Sequence, residues 1–298
     1  MDELPDALLL GAGGTLGEAW LRGVLNGLEA STGLDFRYCE YLLGTSAGSI
    51  VAASLAAGRR PEAGEDAARE WARAVPDVVE AEAEQALFAP VGRAARAVAT
   101  PLAGLAMNVT APAGRLARAA VLRRAPRPQR TLGRVGDYID SLGATFDGRL
   151  RIAAVDRRNG KRVMFGEPDA PKATVGQAVL ASCAVPWLFA PVEIGEREYV
   201  DGGVWSPANL DAVPAGRGSR VLALIPTAGA QLAAIRTATS ASVAYESAAL
   251  RARGATVTTI FPDEASLKAI GANLMDDSRR DAVAAAGYAQ GRRATASG

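Results

Sequence analysis

One serine in a glycine-flanked turn is the residue of this chain most clearly suited to chemistry. Ser46 is the centre of Gly44-Thr45-Ser46-Ala47-Gly48, a G-x-S-x-G pentapeptide between an apolar run at 41–43 and an alanine-rich stretch. A strand, a tight turn and a helix in this order are typical of a nucleophile elbow, where flanking glycines let the backbone bend sharply. The pentapeptide also occurs by chance in glycine-rich chains, so a catalytic role for Ser46 requires a base and oxyanion-stabilising groups elsewhere in the chain.

The base that would activate this serine cannot be a histidine, because the chain contains none. A serine hydroxyl needs a neighbouring group to take its proton, so a carboxylate or a lysine must do so. Asp201 begins Asp201-Gly202-Gly203 directly after the predicted strand 198–200. Asp-Gly is common in simple turns, but a carboxylate at a strand end is also a candidate base. Burial would raise its pKa, and any acid limb of activity is expected below about 6.5, the histidine value.

A glycine-rich turn after the first predicted strand, Ala7–Leu10, offers a third component. Gly11, Gly14 and Gly17 resemble a dinucleotide-binding fingerprint. However, no tyrosine is followed four positions later by a lysine, as short-chain dehydrogenases require, and the G-K-[ST] ending of a P-loop is missing. Such a turn can instead present backbone N–H groups to an oxyanion.

These pieces together resemble the patatin-like phospholipase family over most of residues 7–226. Beside the glycine turn and the elbow, the chain carries the run Ala181-Ser182-Cys183-Ala184-Val185-Pro186-Trp187-Leu188-Phe189-Ala190-Pro191-Val192 shortly before Asp201-Gly202-Gly203. The resemblance implies a Ser-Asp dyad that hydrolyses acyl esters of lipids, with Ser46 as nucleophile and Asp201 as base. It also implies oxyanion-hole donors at Gly13 and Gly14, together with the N–H of Ala47. No cofactor and no metal is implied.

The chain departs from the family's G-G-G-x-[KR]-G turn at two positions. Ala12 replaces a glycine, and Leu16 replaces the basic residue. Because the backbone donors survive both changes, the catalytic interpretation needs no cation at position 16. We therefore expect Leu16→Arg to be tolerated and mildly activating.

Strands and helices alternate along the rest of the chain, which predicts a mainly parallel sheet covered on both faces. The expected fold is a three-layer α/β/α sandwich in a single domain over residues 1–298. A proline-broken helical insertion is expected at about 59–130, and a helical and strand extension at 227–298. Within that extension a final helix, residues 278–290, is expected to end at Gly291.

Charge is strongly segregated within the insertion. Residues 62–84 hold eight acidic residues against two arginines, and residues 85–136 hold nine arginines and no acid. The basic block mixes apolar and cationic side chains, which suits an anionic membrane surface; pairing with the acidic block explains it equally well. If it docks on lipid, reversing Arg115, Arg118, Arg123 and Arg124 should abolish binding. The uncharged stretch Ala97–Gly114 contains two prolines and is predicted to be a surface helix or cap, not a membrane span.

The alternatives differ in class. A lysophospholipase or general carboxylesterase would use the same site, whereas a non-catalytic lipid- or membrane-binding protein would keep only the fold.

Two cysteines and no histidine argue against a zinc site and a disulfide framework. The acidic N-terminus is unlike a secretory signal, so a cytoplasmic setting, peripheral to the membrane at most, is expected. No nucleic-acid partner is expected.

Overall fold

The computed structural model describes residues 3–61, 114–229 and 233–294. The strands are β1 Ala7–Leu10, β2 Tyr41–Thr45, β3 Leu150–Asp156, β4 Arg162–Phe165, β5 Val192–Ile194, β6 Arg197–Asp201, β7 Arg220–Leu224 and β8 Thr256–Ile260. The helices of these residues are α1 Gly14–Thr32, α2 Ala47–Ala56, α3 Arg115–Arg124, α4 Gly133–Ser141, α5 Val175–Cys183, α6 Ala233–Ala252, α7 Glu264–Ile270 and α8 Arg280–Ala294.

All the strands belong to one sheet in the order β5-β6-β3-β2-β1-β7-β8, with β4 also paired to β3. Along this order β3, β2, β1, β7 and β8 are parallel to one another. Strands β4 and β6 each pair antiparallel with β3, and β5 pairs antiparallel with β6. The prediction of a mainly parallel sheet is confirmed. Its interior strand β1 is buried along its whole length, which is why its sequence is continuously apolar instead of alternating.

Helices cover both faces of this sheet. Leu8 and Leu10 of β1 point into a core shared with α1, α2, α5 and α8, whereas Leu9 points into a second core shared with α6. Successive side chains of a strand point to opposite faces, so β1 contributes to both cores. The predicted three-layer α/β/α architecture is confirmed.

The most extensive contact between two helices joins α1 to α8, and glycines on both helices allow their close approach. A Cβ atom on Gly27 would lie 2.2 Å from the carbonyl oxygen of Tyr288, and one on Gly291 would lie 2.3 Å from that of Val24. The prediction that the last helix ends at Gly291 was wrong, because α8 continues to Ala294. This glycine serves the close approach of two helices, a role that local sequence signals do not distinguish from a C-cap.

A capping box fixes the start of α5. Thr174 caps α5: its hydroxyl accepts from the N–H of Gln177 at 3.1 Å, and the side chain of Gln177 accepts from the N–H of Thr174 in return. Helices α4 and α7 were not predicted from the sequence; both are short, with nine and seven residues.

Part of the insertion lies outside the described residues. This holds for the whole acidic block, for the basic block up to residue 113, and for all of Ala97–Gly114 except its last residue. Within the described ranges, no helix combines the length and apolarity needed to cross a membrane.

Candidate active site

The candidate nucleophile occupies a strained turn between β2 and α2. Ser46 has φ 52° and ψ −123°, a backbone conformation rare for any residue with a side chain. The neighbouring glycines serve a different purpose from the sharp bend that was predicted for them. A Cβ atom on Gly48 would lie 2.0 Å from the carbonyl oxygen of Leu10, and one on Gly44 would lie 2.4 Å from the Cα of Ser49. Both glycines are thus required for close packing, and the strain falls on Ser46 itself.

The register of β3 brings Asp201 to this turn. Thr45, the last residue of β2, pairs with Ala153, and Asp201, the last residue of β6, pairs with the next residue, Ala154. Two strands that are distant in sequence therefore end at adjacent positions of β3. The Ser46 hydroxyl lies close enough to the Asp201 carboxylate to lower the pKa of that carboxyl. The structure thus brings together the two residues predicted to form a dyad.

The Asp201 carboxylate is almost completely buried, with 4% of its surface exposed. Burial raises its pKa to about 6, against the opposing effects of hydrogen bonds from the Ser46 hydroxyl and the Gly203 N–H. The Gly203 N–H lies 2.6 Å from Oδ1. A carboxylate with this pKa is still ionised at neutral pH and is a far better proton acceptor than an exposed aspartate.

Two further side chains support the site, and sequence reasoning assigned neither of them a role. Ser182 Oγ accepts from the backbone N–H of Ser46 at 2.8 Å and donates to the carbonyl of Ala153 at 2.6 Å. The Ser182 hydroxyl thereby ties the elbow to β3. Its place within the run 181–192 was the only available signal.

The second supporting side chain is that of Asn209, which is fully buried in the left-handed conformation at φ 57°. Its amide nitrogen donates to Thr45 Oγ1 at 3.1 Å and lies 3.4 Å from the carbonyl oxygen of Gly202. One amide therefore links the residue before Ser46 to the residue after Asp201. Nothing in the local sequence indicated this.

Cys183 is a third group beside the nucleophile. Its thiol forms a hydrogen bond with the Ser49 hydroxyl, at an Oγ to Sγ distance of 3.8 Å, and lies near the Ser46 hydroxyl. Burial raises the pKa of this thiol to about 12, and the nearby Asp201 charge acts in the same direction. The thiol therefore stays protonated at neutral pH and does not compete with Ser46 as a nucleophile.

The glycine-rich turn lies against both halves of this site. The Gly11 carbonyl oxygen is 2.8 Å from where a Cβ on Gly48 would lie, and Ala12 Cβ is 3.7 Å from the equivalent position on Gly203. The turn is fixed by hydrogen bonds from the Gly11 N–H to Leu224 and from the Ala12 N–H to Pro207, at 2.9 and 2.8 Å.

The three predicted oxyanion donors lie at two helix starts, where backbone N–H groups lack intrahelical partners. Gly14 begins α1, with Gly13 as its cap, and Ala47 begins α2. Gly14 has φ 62°, which favours glycine. Space is limited at the neighbouring position too, because a Cβ on Gly13 would lie 2.7 Å from Pro226 Cβ.

The position of the Leu16 side chain argues against the expectation that Leu16→Arg is tolerated. Leu16 is fully buried in the core shared by α1 and α8, and its N–H donates to the carbonyl of Leu274 at 2.9 Å. A guanidinium at this position would have to be buried without a partner or would displace the segment around Leu274. The idea that Leu16→Arg is tolerated is therefore withdrawn.

We instead expect Leu16→Arg to lower the free energy of unfolding by about 3–5 kcal/mol, because it places an unpaired charge in an apolar core. The volume-conserving control, Leu16→Met, should cost less than about 1.5 kcal/mol. Urea unfolding of the two variants measures both values. Equal stability of Leu16→Arg and Leu16→Met would mean that the start of α1 is open to solvent.

Within the described ranges, no group of three or more histidine, cysteine, aspartate or glutamate side chains is placed to hold a metal ion.

Comparison with known proteins places the chain in a family. A family model described as patatin-like phospholipase matches residues 8–214, which is more than half of the 298 residues. The matched region includes Ser46, Asp201, the glycine-rich turn and Asn209. None of the curated proteins compared with the chain matches it significantly.

Proposed function

Since the chain belongs to the patatin-like phospholipase family, we propose that it hydrolyses acyl esters of lipids with Ser46 as nucleophile and Asp201 as general base. The observation that carries this proposal is the position of the Ser46 hydroxyl beside a buried carboxylate whose pKa is raised to about 6. Base and nucleophile are thus adjacent before substrate binds, as general-base catalysis requires.

In the proposed first half-reaction, Asp201 takes the proton of Ser46 as Oγ attacks the ester carbonyl carbon. The carbonyl oxygen becomes an oxyanion, which the N–H groups of Gly13, Gly14 and Ala47 stabilise. The intermediate collapses to an acyl-serine, and the alcohol leaves with the proton from Asp201. The interaction between Asp201 and the Gly203 N–H holds the carboxylate in place throughout.

The second half-reaction repeats these steps with water. Asp201 deprotonates a water molecule that attacks the acyl-serine, and the same donors stabilise the second oxyanion. The fatty acid is released, and the proton returns to Ser46. No cofactor takes part in this scheme, and a single carboxylate replaces both the histidine and the aspartate of a triad.

The proposal is tested by labelling with a fluorescent serine-reactive phosphonate, followed by p-nitrophenyl esters of increasing chain length and phospholipid vesicles. A family hydrolase should be labelled and should release acid from at least one ester. A folded protein that is neither labelled nor active on any of them would support the alternative of a non-catalytic lipid-binding protein.

The raised pKa of Asp201 gives a specific pH dependence. Only the ionised carboxylate can accept a proton, so kcat/KM should be constant above about pH 6 and fall about tenfold per pH unit below it. This acid limb lies above that of an ordinary aspartate and near that of a histidine, although the chain contains no histidine. The profile should be measured on a short soluble ester, which avoids titrating a lipid surface. Constant activity down to pH 4.5 would exclude Asp201 as the base.

A further inference from the structure

Helix α3 belongs to the described part of the arginine-rich block, residues 85–136, and has two different faces. Its inner face is formed by Arg118, Ala119 and Leu122, which are buried. Its outer face exposes two apolar side chains, Leu116 at 73% and Val121 at 39%. Leu116 and Val121 lie on the two flanks of the exposed side of α3, with arginines between and beside them, and this mixture is available for contact with a lipid surface.

The inner face fixes α3 to the strand end that carries Asp201. Arg118 Nε donates to the carbonyl of Gly160 at 2.9 Å, and its guanidinium lies 4.3 Å from the centre of the Trp205 ring. Leu122 packs with Val200 and Val204, on either side of Asp201. Because of these contacts, a surface that binds the outer face of α3 is held close to the candidate dyad.

Four exposed arginines lie on or beside the outer face: Arg115, Arg123, Arg124 and Arg158. Within the described chain none of them pairs with a carboxylate. Arg123 reaches only the carbonyl of Arg158, at 3.4 Å, and Arg124 only that of Ala120 in its own helix, also at 3.4 Å. The alternative that the arginines pair with the acidic block concerns residues 62–84, which lie outside the described ranges. Arg127 pairs with a different carboxylate, that of Glu198, at 2.8 Å and is not counted with the four exposed arginines.

Arg118 does not belong to this surface, although the sequence placed it with Arg115, Arg123 and Arg124 as a docking residue. It is 1% exposed and is part of the inner contact. Its reversal to glutamate would disturb the fold instead of reporting on docking.

We propose that the outer face of α3 docks on an anionic lipid surface and thereby presents the Ser46–Asp201 site to lipid at the interface. The inference rests on the proposed lipid hydrolase function for its substrate. Interfacial helices combine apolar side chains that enter the headgroup region with arginines that pair with anionic lipid. Nucleic acid would also attract the arginines but would leave Leu116 and Val121 without a role.

The test is co-sedimentation of the full chain with phosphatidylcholine vesicles, with and without phosphatidylserine. Binding should rise with the phosphatidylserine fraction and fall steeply between about 0.05 and 0.5 M salt. The variant R115E/R123E/R124E should bind at least about 100-fold more weakly, since each arginine near an anionic surface contributes about fivefold. Leu116→Ser should weaken binding about tenfold by removing an inserted apolar side chain.

A matched control reverses three exposed arginines at another part of the surface, R217E/R251E/R253E. It makes the same change in net charge and should bind like the unmodified protein. Equal loss of binding in both triple variants, equal binding to vesicles with and without phosphatidylserine, or no binding at all would overturn the inference. Arginine-dependent binding to a DNA duplex that Leu116→Ser leaves unchanged, with no preference for vesicles, would assign the face to nucleic acid and also overturn it.

Hydrolysis of a soluble short-chain ester separates this inference from the proposed function. The α3 variants should keep that activity within about twofold, because the substituted side chains are exposed on the surface, and should lose activity on phosphatidylserine-containing vesicles. Ester hydrolysis without vesicle binding would leave the proposed function intact and refute the docking surface. If the protein has no esterase activity but binds vesicles through α3, the docking surface would be supported and the proposed function refuted.

Discussion

Ser46→Ala is expected to lower kcat/KM on every hydrolysed ester by about 10⁴-fold or more and to abolish phosphonate labelling. Removing the nucleophile of a serine hydrolase leaves only the residual effect of the oxyanion donors and of binding. The fold should persist, because alanine fits the same turn and removes only one hydroxyl. Near-normal esterase activity in the folded variant would remove Ser46 from the mechanism.

A second substitution at this position serves as its control. Ser46→Gly should be equally inactive but more stable than Ser46→Ala by about 1 kcal/mol, since glycine adopts φ 52° without strain. Thermal unfolding of the two variants measures the difference. If alanine were as stable as glycine here, the elbow would relax when the hydroxyl is removed, and the strain would depend on the contact between Ser46 and Asp201.

Asp201→Asn is expected to lower kcat/KM by about 10²- to 10⁴-fold while making the protein more stable. An amide keeps the shape of the carboxylate and can still accept from the Gly203 N–H, but it cannot take a proton from Ser46. The unmodified protein buries a carboxylate whose pKa burial raises to about 6 in the folded state. Loss of activity together with a gain in stability would distinguish a catalytic carboxylate from a structural one.

The sign of the stability change follows from proton linkage. A raised carboxyl pKa means that the folded state binds the proton more tightly than the unfolded state, so the ionised carboxylate destabilises the fold above about pH 6. Asp201→Asn should therefore raise the free energy of unfolding by up to about 3 kcal/mol at pH 8, and this gain should disappear near pH 4. Urea unfolding at the two pH values measures it. Full activity, or a loss of stability at pH 8, would contradict the dyad.

The sequence alone determined the elements and chemical types of this site. Ser46 was predicted to be the nucleophile from a local pattern. Asp201 was predicted to be the base from its place after a strand and from the resemblance of Asp201-Gly202-Gly203 to the family's motif. The central strands were predictable because a parallel strand buried on both faces is continuously apolar, as Leu8, Leu9 and Leu10 are. Each of these patterns consists of residues that are neighbours in the sequence, so they can be recognised without knowing any tertiary contact.

Only the tertiary structure decided how those groups meet and what surrounds them. The contact between Ser46 and Asp201 depends on the pairing of Thr45 and Asp201 with adjacent residues of β3, a register that no local pattern encodes. The pKa of about 6 comes from burial by elements distant in sequence. The same physical reason explains the outcomes for Leu16 and Arg118: their side chains are buried by segments that approach from elsewhere in the chain, and only the folded structure determines that approach.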